Sequence, residues 1–218
     1  MNLDSRLQAI KNFVPLNSRV VDVGTDHGYL AIELIESSVA DFVIASDKNT
    51  GPLEAARKNI DAVKLNDKIE LRIGDGLQKI AVGEINVICI AGIGGALICD
   101  ILNAAPEVVK SVDKIILQPM NAVEKVRQWI ITNHLNIEDE DLAEVDDIIY
   151  EIICVSKKYS TSKITKKDKS PLLSKFINNK IYRLQRVIEE MSKSPKAMMS
   201  SKYLEIQNQI KQLKAELK

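Results

Sequence analysis

The first part of the chain alternates short β-branched runs with segments of helical period. Five apolar runs predict strands, and the patterns between them predict helices. The predicted strands are Arg19–Val23, Phe42–Asp47, Ile69–Ile73, Asn86–Ile90 and Lys114–Gln118. The predicted helices are Leu30–Ser37, Pro52–Val63, Ala96–Ala104 and Val123–Asn133. This alternation is typical of an α/β fold in which helices cover a parallel sheet.

The alternation stops after Asn133. Two runs, Ile137–Val145 and Ile148–Lys157, flank Asp146-Asp147 and predict an antiparallel strand pair with no helix between its members. A parallel sheet that ends in an antiparallel hairpin is typical of Rossmann-like methyltransferases, whereas dinucleotide dehydrogenases usually continue with further βα units. We therefore expect residues 1–158 to form one domain with this Rossmann-like sheet.

The C-terminal part carries a different pattern. Residues 156–170 are rich in Lys, Ser and Thr without an apolar period, and they predict a linker. Two apolar stripes with spacings of three and four residues follow, separated at Ser194-Pro195. Their members are Leu173, Ile177, Ile181, Leu184, Ile188 and Met191, then Tyr203, Ile206, Ile210, Leu213 and Leu217. Because neither helix can bury its stripe alone, residues 159–218 are expected to form a linker and an antiparallel two-helix coiled coil.

The charge is divided between these two parts. Residues 156–218 contain 14 Lys and two Arg against one Asp and four Glu, a net charge of +11, so the first 155 residues carry −11. This asymmetry favours a polyanionic partner for the C-terminal part, RNA before membrane. A lysine-rich solvated helical face is the alternative.

Other composition features narrow the class of protein. No run approaches the roughly 20 apolar residues of a membrane span, and no basic start precedes an apolar leader. The prediction is a cytoplasmic, monomeric protein with no membrane contact. Cys89, Cys99 and Cys154 form no C-x-x-C pair, so they are expected to be reduced core residues and not metal ligands.

A glycine turn marks a candidate cofactor site. Residues 20–30 pass from an apolar strand through Gly24 and Gly28 into a helix, a geometry that turns backbone N–H groups toward a ligand. The spacing lacks the G-x-G-x-x-G of a dinucleotide site, and the carboxylates of Asp22 and Asp26 would repel a pyrophosphate. They suit S-adenosylmethionine, which has no phosphate and carries a sulfonium and an ammonium group.

Further polar and glycine residues follow the other predicted strands. Asp47 ends the second strand, where a carboxylate can accept hydrogen bonds from ribose hydroxyls, and Asp75 follows the third, near where an adenine amino group would need an acceptor. Each could instead be a capping or turn residue. Residues 91–95 follow the fourth strand with three glycines, which indicates a crowded site, although a tight turn alone is the alternative.

Several motifs occur together in one order. They are Leu3-x-x-Arg6-Leu7, the run from Asp22 to Leu30, Gly74-Asp75-Gly76-Leu77, Ala91-Gly92-Ile93-Gly94-Gly95, Ile116-Leu117-Gln118-Pro119 and Arg127-x-Trp129. This set resembles the bacterial tRNA (adenine-22-N1)-methyltransferase family, in which a class I methyltransferase domain carries a C-terminal coiled coil. The resemblance covers nearly the whole chain.

The resemblance implies methyl transfer from S-adenosylmethionine to N1 of a tRNA adenine in the D-arm region, without a metal. The expected cofactor residues are Asp22, Gly24, His27, Tyr29, Asp47, Asp75, Gly76, Ala91 and Gly92. The expected catalytic residues are Asp26, His27 and Gln118. The expected tRNA contacts are Arg6, Gly94, Gly95, Pro119, Asn121, Lys167, Lys175, Arg183 and Arg186. Whether Met120 or Asn121 faces the base stays open.

The three expected catalytic residues differ in what they do. Adenine N1 can attack as the neutral base and the product is cationic, so a carboxylate nearby would stabilise the developing charge. Asp26 is expected to supply it and to accept a hydrogen bond from N6, with His27 beside it or serving only to stabilise the turn. Gln118 is expected to contact the target base or its loop. A methyltransferase for a protein or small molecule and a non-enzymatic RNA-binding module remain alternatives, ahead of an NAD enzyme.

Overall fold

The computed structural model describes residues 3–157 and 164–217 of the chain. It divides into two compact units, Met1–Lys167 and Asp168–Lys218. The predicted domain boundary after residue 158, and most of the first half of the predicted linker, lie outside the described residues. None of the described helices is both long and apolar enough to cross a membrane.

A seven-stranded sheet forms the centre of the first unit. Its strands are β1 (Ser18–Val23), β2 (Ala40–Asp47), β3 (Ile69–Ile73), β4 (Val87–Ile93), β5 (Lys114–Pro119), β6 (Asn136–Val145) and β7 (Ile148–Ser156). In space the order is β3-β2-β1-β4-β5-β7-β6. The first five strands pair in parallel, and β7 is antiparallel to both β5 and β6. The predicted Rossmann-like sheet with a terminal antiparallel hairpin is therefore confirmed.

Helices cover both faces of this sheet. They are α1 (Ser5–Lys11), α2 (Tyr29–Glu36), α3 (Thr50–Val63), α4 (Gly95–Asn103), α5 (Pro106–Ser111) and α6 (Val123–Thr132). Alternate strand residues face opposite layers: Val20 packs with the layer of α1, α2 and α3, and Val21 with the layer of α4, α5 and α6. Both are fully buried, as expected for strands covered on two faces.

Two of these helices were not predicted from the sequence. The helices α1 and α5 have seven and six residues, too few for a clear apolar period. Local signals start each of them: the Asp4 side chain accepts from the Leu7 N–H at 2.8 Å, and α5 begins with Pro106. The first matters for the site, because α1 forms one of its walls.

A buried ion-pair network joins the hairpin to the residues after it. Glu151 on β7 is 7% exposed and accepts from Arg127 Nη2 at 2.9 Å and from Lys167 Nζ at 2.7 Å. Arg127 also pairs with Glu140 on β6. The network pairs a buried carboxylate with two cations, which offsets the cost of burying its charge. It places Lys167 in the first unit.

The second unit consists of helices. They are α7 (Leu173–Met191), the short α8 (Pro195–Met198) and α9 (Ser201–Glu216). The helices α7 and α9 contact each other, and Ile177, Ile181 and Ile206 of the predicted stripes are buried. The expected break at Ser194-Pro195 is the start of α8, because proline suits a first helical turn. The coiled-coil geometry stays a prediction.

Candidate cofactor cleft and active site

A cleft of about 590 Å³ opens at the carboxyl ends of β1, β2 and β4. In a doubly wound sheet this edge, where the order of strands reverses, is the usual ligand site. The predicted site residues that line it are Arg6, Asp22, Gly24, Asp26, His27, Tyr29, Asp47, Ala91 and Gly92. The structure thus brings together nine of them from four separate segments of the chain.

The glycine turn is held by its own backbone. Gly24 has a φ of 79°, and its N–H donates to the Ser46 carbonyl at 2.8 Å, while the Thr25 N–H donates to the same oxygen at 3.0 Å. These two amides therefore join β1 to β2 and are not available to a ligand. The same turn brings the side chains of Asp22, Asp26 and His27 to the cleft.

Asp22 is the buried acid of the cleft. It is 6% exposed, and its pKa is raised from 3.8 to about 6, chiefly because burial disfavours the charged form. Thr25 and the positive charge of Arg6 oppose this rise, and the negative charge of Asp47 adds to it. The Thr25 hydroxyl approaches Asp22 without completing a hydrogen bond, and Oγ1 is buried with no partner among the described residues. A buried acid beside a buried hydroxyl fits a cationic ligand group that can donate hydrogen bonds to both.

The two other strand-end carboxylates lie in different places. Asp47 lines the cleft and accepts from the Asn49 N–H at 2.8 Å, so it combines a turn role with access to the site. Asp75 is exposed and is not among the lining residues. Packing explains the glycine at the neighbouring position 76, because a Cβ there would lie 2.8 Å from Ile101 Cγ2.

The predicted catalytic pair lies at the open side of the cleft. Asp26 Oδ2 is 3.4 Å from His27 Nε2, and their side chains are 77% and 45% exposed respectively. The His27 ring stacks on Tyr29 with centroids 5.1 Å apart and an angle of 16° between planes. The carbonyl of His27 accepts from Asn59 Nδ2 at 2.9 Å. This fixes the turn and leaves the carboxylate and the stacked rings accessible.

Gln118 lies beneath the cleft and does not reach its surface. The side chain is fully buried, and Oε1 accepts from Arg6 Nη1 at 2.9 Å and from the Gly92 N–H at 3.0 Å. A Cβ at Gly92, whose φ is 75°, would lie 3.1 Å from Arg6 Nη1. One carbonyl oxygen therefore joins β5, the end of β4 and α1, which makes Gln118 a positioning residue in this structure.

The loop after β5 packs closely against the start of α4 at Gly94 and Gly95. A Cβ at Gly95 would lie 2.7 Å from the carbonyl oxygens of both Asn121 and Ala122, and one at Gly94 would lie 3.1 Å from Asn121 Oδ1. These two glycines therefore allow the loop after β5 to approach the helix. Pro119 is buried at the end of β5. None of these residues lines the cleft, whereas Met120, half exposed, does.

The predicted basic contacts differ in their surroundings. Lys167 is paired with Glu151 and its side chain is 17% exposed, so it is engaged within the first unit. Lys175, Arg183 and Arg186 are exposed on α7. Within the described part of the chain, no group of three or more His, Cys, Asp or Glu side chains could hold a metal ion.

Sequence reasoning missed several lining residues. Asp4 and Leu7 come from the unpredicted α1, and Val145 and Tyr150 come from the ends of β6 and β7. Asp4 carried a usable signal, since Asp is favoured at the residue immediately before a helix, where Asp4 caps α1. No sequence signal marks Tyr150 as a site residue, because access of its ring to the cleft depends on how the hairpin docks.

Comparison with known proteins agrees with this geometry. A family model described as a methyltransferase domain matches residues 3–153. The tRNA (adenine(22)-N(1))-methyltransferase of Bacillus subtilis (strain 168) is 34% identical over 153 residues, which span 70% of this chain and 64% of that protein. The match therefore spans less than two thirds of the length of this curated relative.

Solved structures extend the similarity to the whole chain. The crystal structure of the B. subtilis m1A22 tRNA methyltransferase has a TM-score of 0.86 at 27% identity, covering 100% of this chain and 99% of that one. A putative tRNA (m1A22) methyltransferase of Streptococcus pneumoniae, in complex with S-adenosyl-L-methionine, has a TM-score of 0.84 at 28% identity, with 100% of both chains covered. These findings confirm the resemblance drawn from the sequence motifs, and the extent of the family match shows that the chain belongs to the methyltransferase-domain family.

Proposed function

We propose that this protein transfers a methyl group from S-adenosylmethionine to N1 of adenine 22 in the D-arm region of tRNA. The observation that carries the proposal is the cleft in which Asp22 and Asp47 meet at the carboxyl ends of adjacent parallel strands. Membership of the methyltransferase-domain family and similarity to tRNA methyltransferases support the choice of cofactor and substrate.

The cleft residues fit this cofactor. Asp47 can accept hydrogen bonds from ribose hydroxyls, and Asp22 with the free hydroxyl of Thr25 can receive a cationic polar group. S-adenosylmethionine supplies an already activated methyl group when it is bound. The protein therefore has mainly to orient the acceptor nitrogen and to exclude water.

The acceptor base is assigned to the open side of the cleft. Asp26 is accessible there and can accept from the exocyclic amine of adenine, which favours positive charge on the ring as N1 becomes alkylated. The carboxylate is highly exposed, so its effect depends on docked RNA excluding water. Tyr29 and His27 form a stacked pair that offers a flat face to an unstacked base.

The helical unit is assigned to tRNA binding. Arg183 and Arg186 are exposed on the same helix, three residues apart, and can contact phosphates. The positive charge of the helical unit complements an otherwise acidic protein. Because the proposed substrate is tRNA, we assign the enzyme to the cytoplasm. Lys167 is left out of this surface because Glu151 holds it.

The test is methylation of an unmodified tRNA transcript in the presence of S-adenosylmethionine, followed by mass-spectrometric mapping of modified nucleosides. We expect 1-methyladenosine at position 22, and no product on a transcript in which that adenine is replaced by guanine. Asp26→Asn should lower turnover, whereas the exposed carboxylate control Asp41→Asn should not. Methylation of protein in an extract, with none on tRNA, would refute the assigned substrate.

A further inference from the structure

Arg6 and Asp22 face the same cleft without forming a direct ion pair. The positive charge of Arg6 is close enough to favour the ionised form of Asp22, yet its guanidinium is bound elsewhere, by Gln118 and Asp4. Asp22 is nearly buried, and the Arg6 side chain is 22% exposed. The cleft therefore holds a carboxylate and a guanidinium that are near each other and unbridged.

The orientation of Arg6 is set by its neighbours. Nη1 donates to the buried Oε1 of Gln118 at 2.9 Å, and Nη2 lies 3.4 Å from Asp4 Oδ2. The guanidinium carbon lies 5.9 Å from the centre of the Tyr150 ring. Arginine has five N–H donors, and two of them are engaged in the described part of the chain. The others remain for a ligand in the cleft.

We propose that Arg6 binds the α-carboxylate at the amino-acid end of the cofactor, opposite Asp22, which faces its ammonium group. That end of S-adenosylmethionine is a zwitterion, and a fixed acid and a fixed guanidinium in one cleft have the matching charges. A guanidinium suits a carboxylate because it can donate two parallel N–H bonds to it. The inference rests on the proposed function only for the identity of the cofactor.

The surroundings of Arg6 disfavour a role in binding tRNA phosphates. An RNA backbone that entered the cleft would meet four carboxylates, those of Asp4, Asp22, Asp26 and Asp47. Arg6 is also recessed in comparison with Arg183, which is exposed on its helix. A small zwitterion can reach Arg6 and bring its own cation to the acids, whereas a polyanion cannot.

The test compares two ligands that differ only in the carboxylate: S-adenosylmethionine and its decarboxylated form. Dissociation constants are measured by calorimetry, or by competition where affinity is low, with the full chain and no tRNA. We expect Arg6→Ala to weaken S-adenosylmethionine binding about 10- to 100-fold, typical of a charged hydrogen bond, and to change binding of the decarboxylated ligand about twofold or less. The control Asp47→Asn, at the ribose, should weaken both ligands by the same factor.

Each result has a distinct meaning. Equal losses of affinity for both ligands in Arg6→Ala would overturn the inference, because Arg6 would then act only through the shape of the cleft. The variant Arg6→Lys keeps the charge and should recover part of the carboxylate-dependent affinity. Unchanged binding of both ligands with weakened tRNA binding would also overturn it and assign Arg6 to the substrate. If the unmodified protein binds neither ligand, the proposed function itself fails. If it binds them but does not methylate tRNA, only the assigned substrate fails.

Discussion

Replacing Asp22 by Asn should stabilise the ligand-free protein and impair cofactor binding. The carboxyl is 6% exposed, and burial is the main reason that its pKa rises from 3.8 to about 6. Asn keeps the shape of the side chain and removes the charge that burial disfavours. The two effects have opposite signs because the acid is kept for a cation that only the ligand supplies.

The magnitude follows from the linkage between protons and folding. A rise of about two pKa units corresponds to roughly 3 kcal/mol at about 1.4 kcal/mol per unit, an upper value because the surroundings can relax. The folded protein holds this proton more tightly than the unfolded chain does. Stability therefore falls as the pH rises from about 4 to about 6, and above that range the full cost of the buried charge is present. The Asn variant should lack this decline.

Urea unfolding between pH 4.5 and 8 measures the difference. Trp129, the single tryptophan, is 8% exposed and donates from Nε1 to Asn103 Oδ1 at 2.7 Å, so its fluorescence reports on the first unit. We expect Asp22→Asn to gain about 1–3 kcal/mol at pH 8 and little at pH 4.5. Its affinity for S-adenosylmethionine should fall more than about tenfold, and that of the unmodified protein should decline below pH 6. Parallel pH profiles for the two proteins, or a less stable variant at pH 8, would refute the reasoning.

Three further outcomes are expected. Gly95→Ala should lower the free energy of unfolding in urea by about 2–4 kcal/mol, because the added Cβ would meet two carbonyl oxygens. The control Gly51→Ala, in an open helical position, should be neutral or stabilising by up to about 1 kcal/mol. Glu151→Gln should cost about 2–4 kcal/mol, because two cations then lose their buried partner; a loss under about 0.5 kcal/mol would mean that the network is solvated. The double change Arg183→Ala and Arg186→Ala should weaken tRNA binding and reduce its dependence on salt by about one unit of log–log slope per lost phosphate contact, with cofactor affinity unchanged. An unaltered salt slope would remove these residues from the tRNA surface.

The parts of the site that the sequence predicts best are those that the sheet itself brings together. Asp22 and Asp47 end neighbouring parallel strands, so their meeting follows from the alternation of strands and helices. Asp75 follows β3, the strand at the edge of the sheet and two places from β1, and it does not line the cleft. A carboxylate at a strand end is thus a useful signal only when the strand order is also known.

The parts that could not be predicted depend on docking between distant segments. Asp4 enters the cleft on a seven-residue helix with little periodicity, and Tyr150 enters it from the hairpin. The sequence predicts Gln118 near the end of a strand, but it does not show that the side chain is buried and joins two other segments. Likewise, Gly94 and Gly95 indicate a crowded site in the sequence, and in the structure the crowding comes from the loop after β5. The Asn121 side chain lies against Gly94, and the carbonyl oxygens of Asn121 and Ala122 lie against Gly95.

The hydrogen bond between Arg6 and Gln118 joins residues 112 positions apart, so α1, one wall of the cleft, is attached to the sheet in part by a contact that is very distant in sequence. Local detachment of α1 would open the cleft while the parallel strands stay intact. A cofactor that contacts Arg6 raises the free energy of that opening. The increase grows with the ratio of the cofactor concentration to the dissociation constant of the cofactor. Amide hydrogen exchange in α1 should consequently slow in proportion to ligand saturation, while exchange in β1 and β4 follows only global unfolding. The exchange rate of amides in the N-terminal helix would then report the fraction of the protein that holds cofactor.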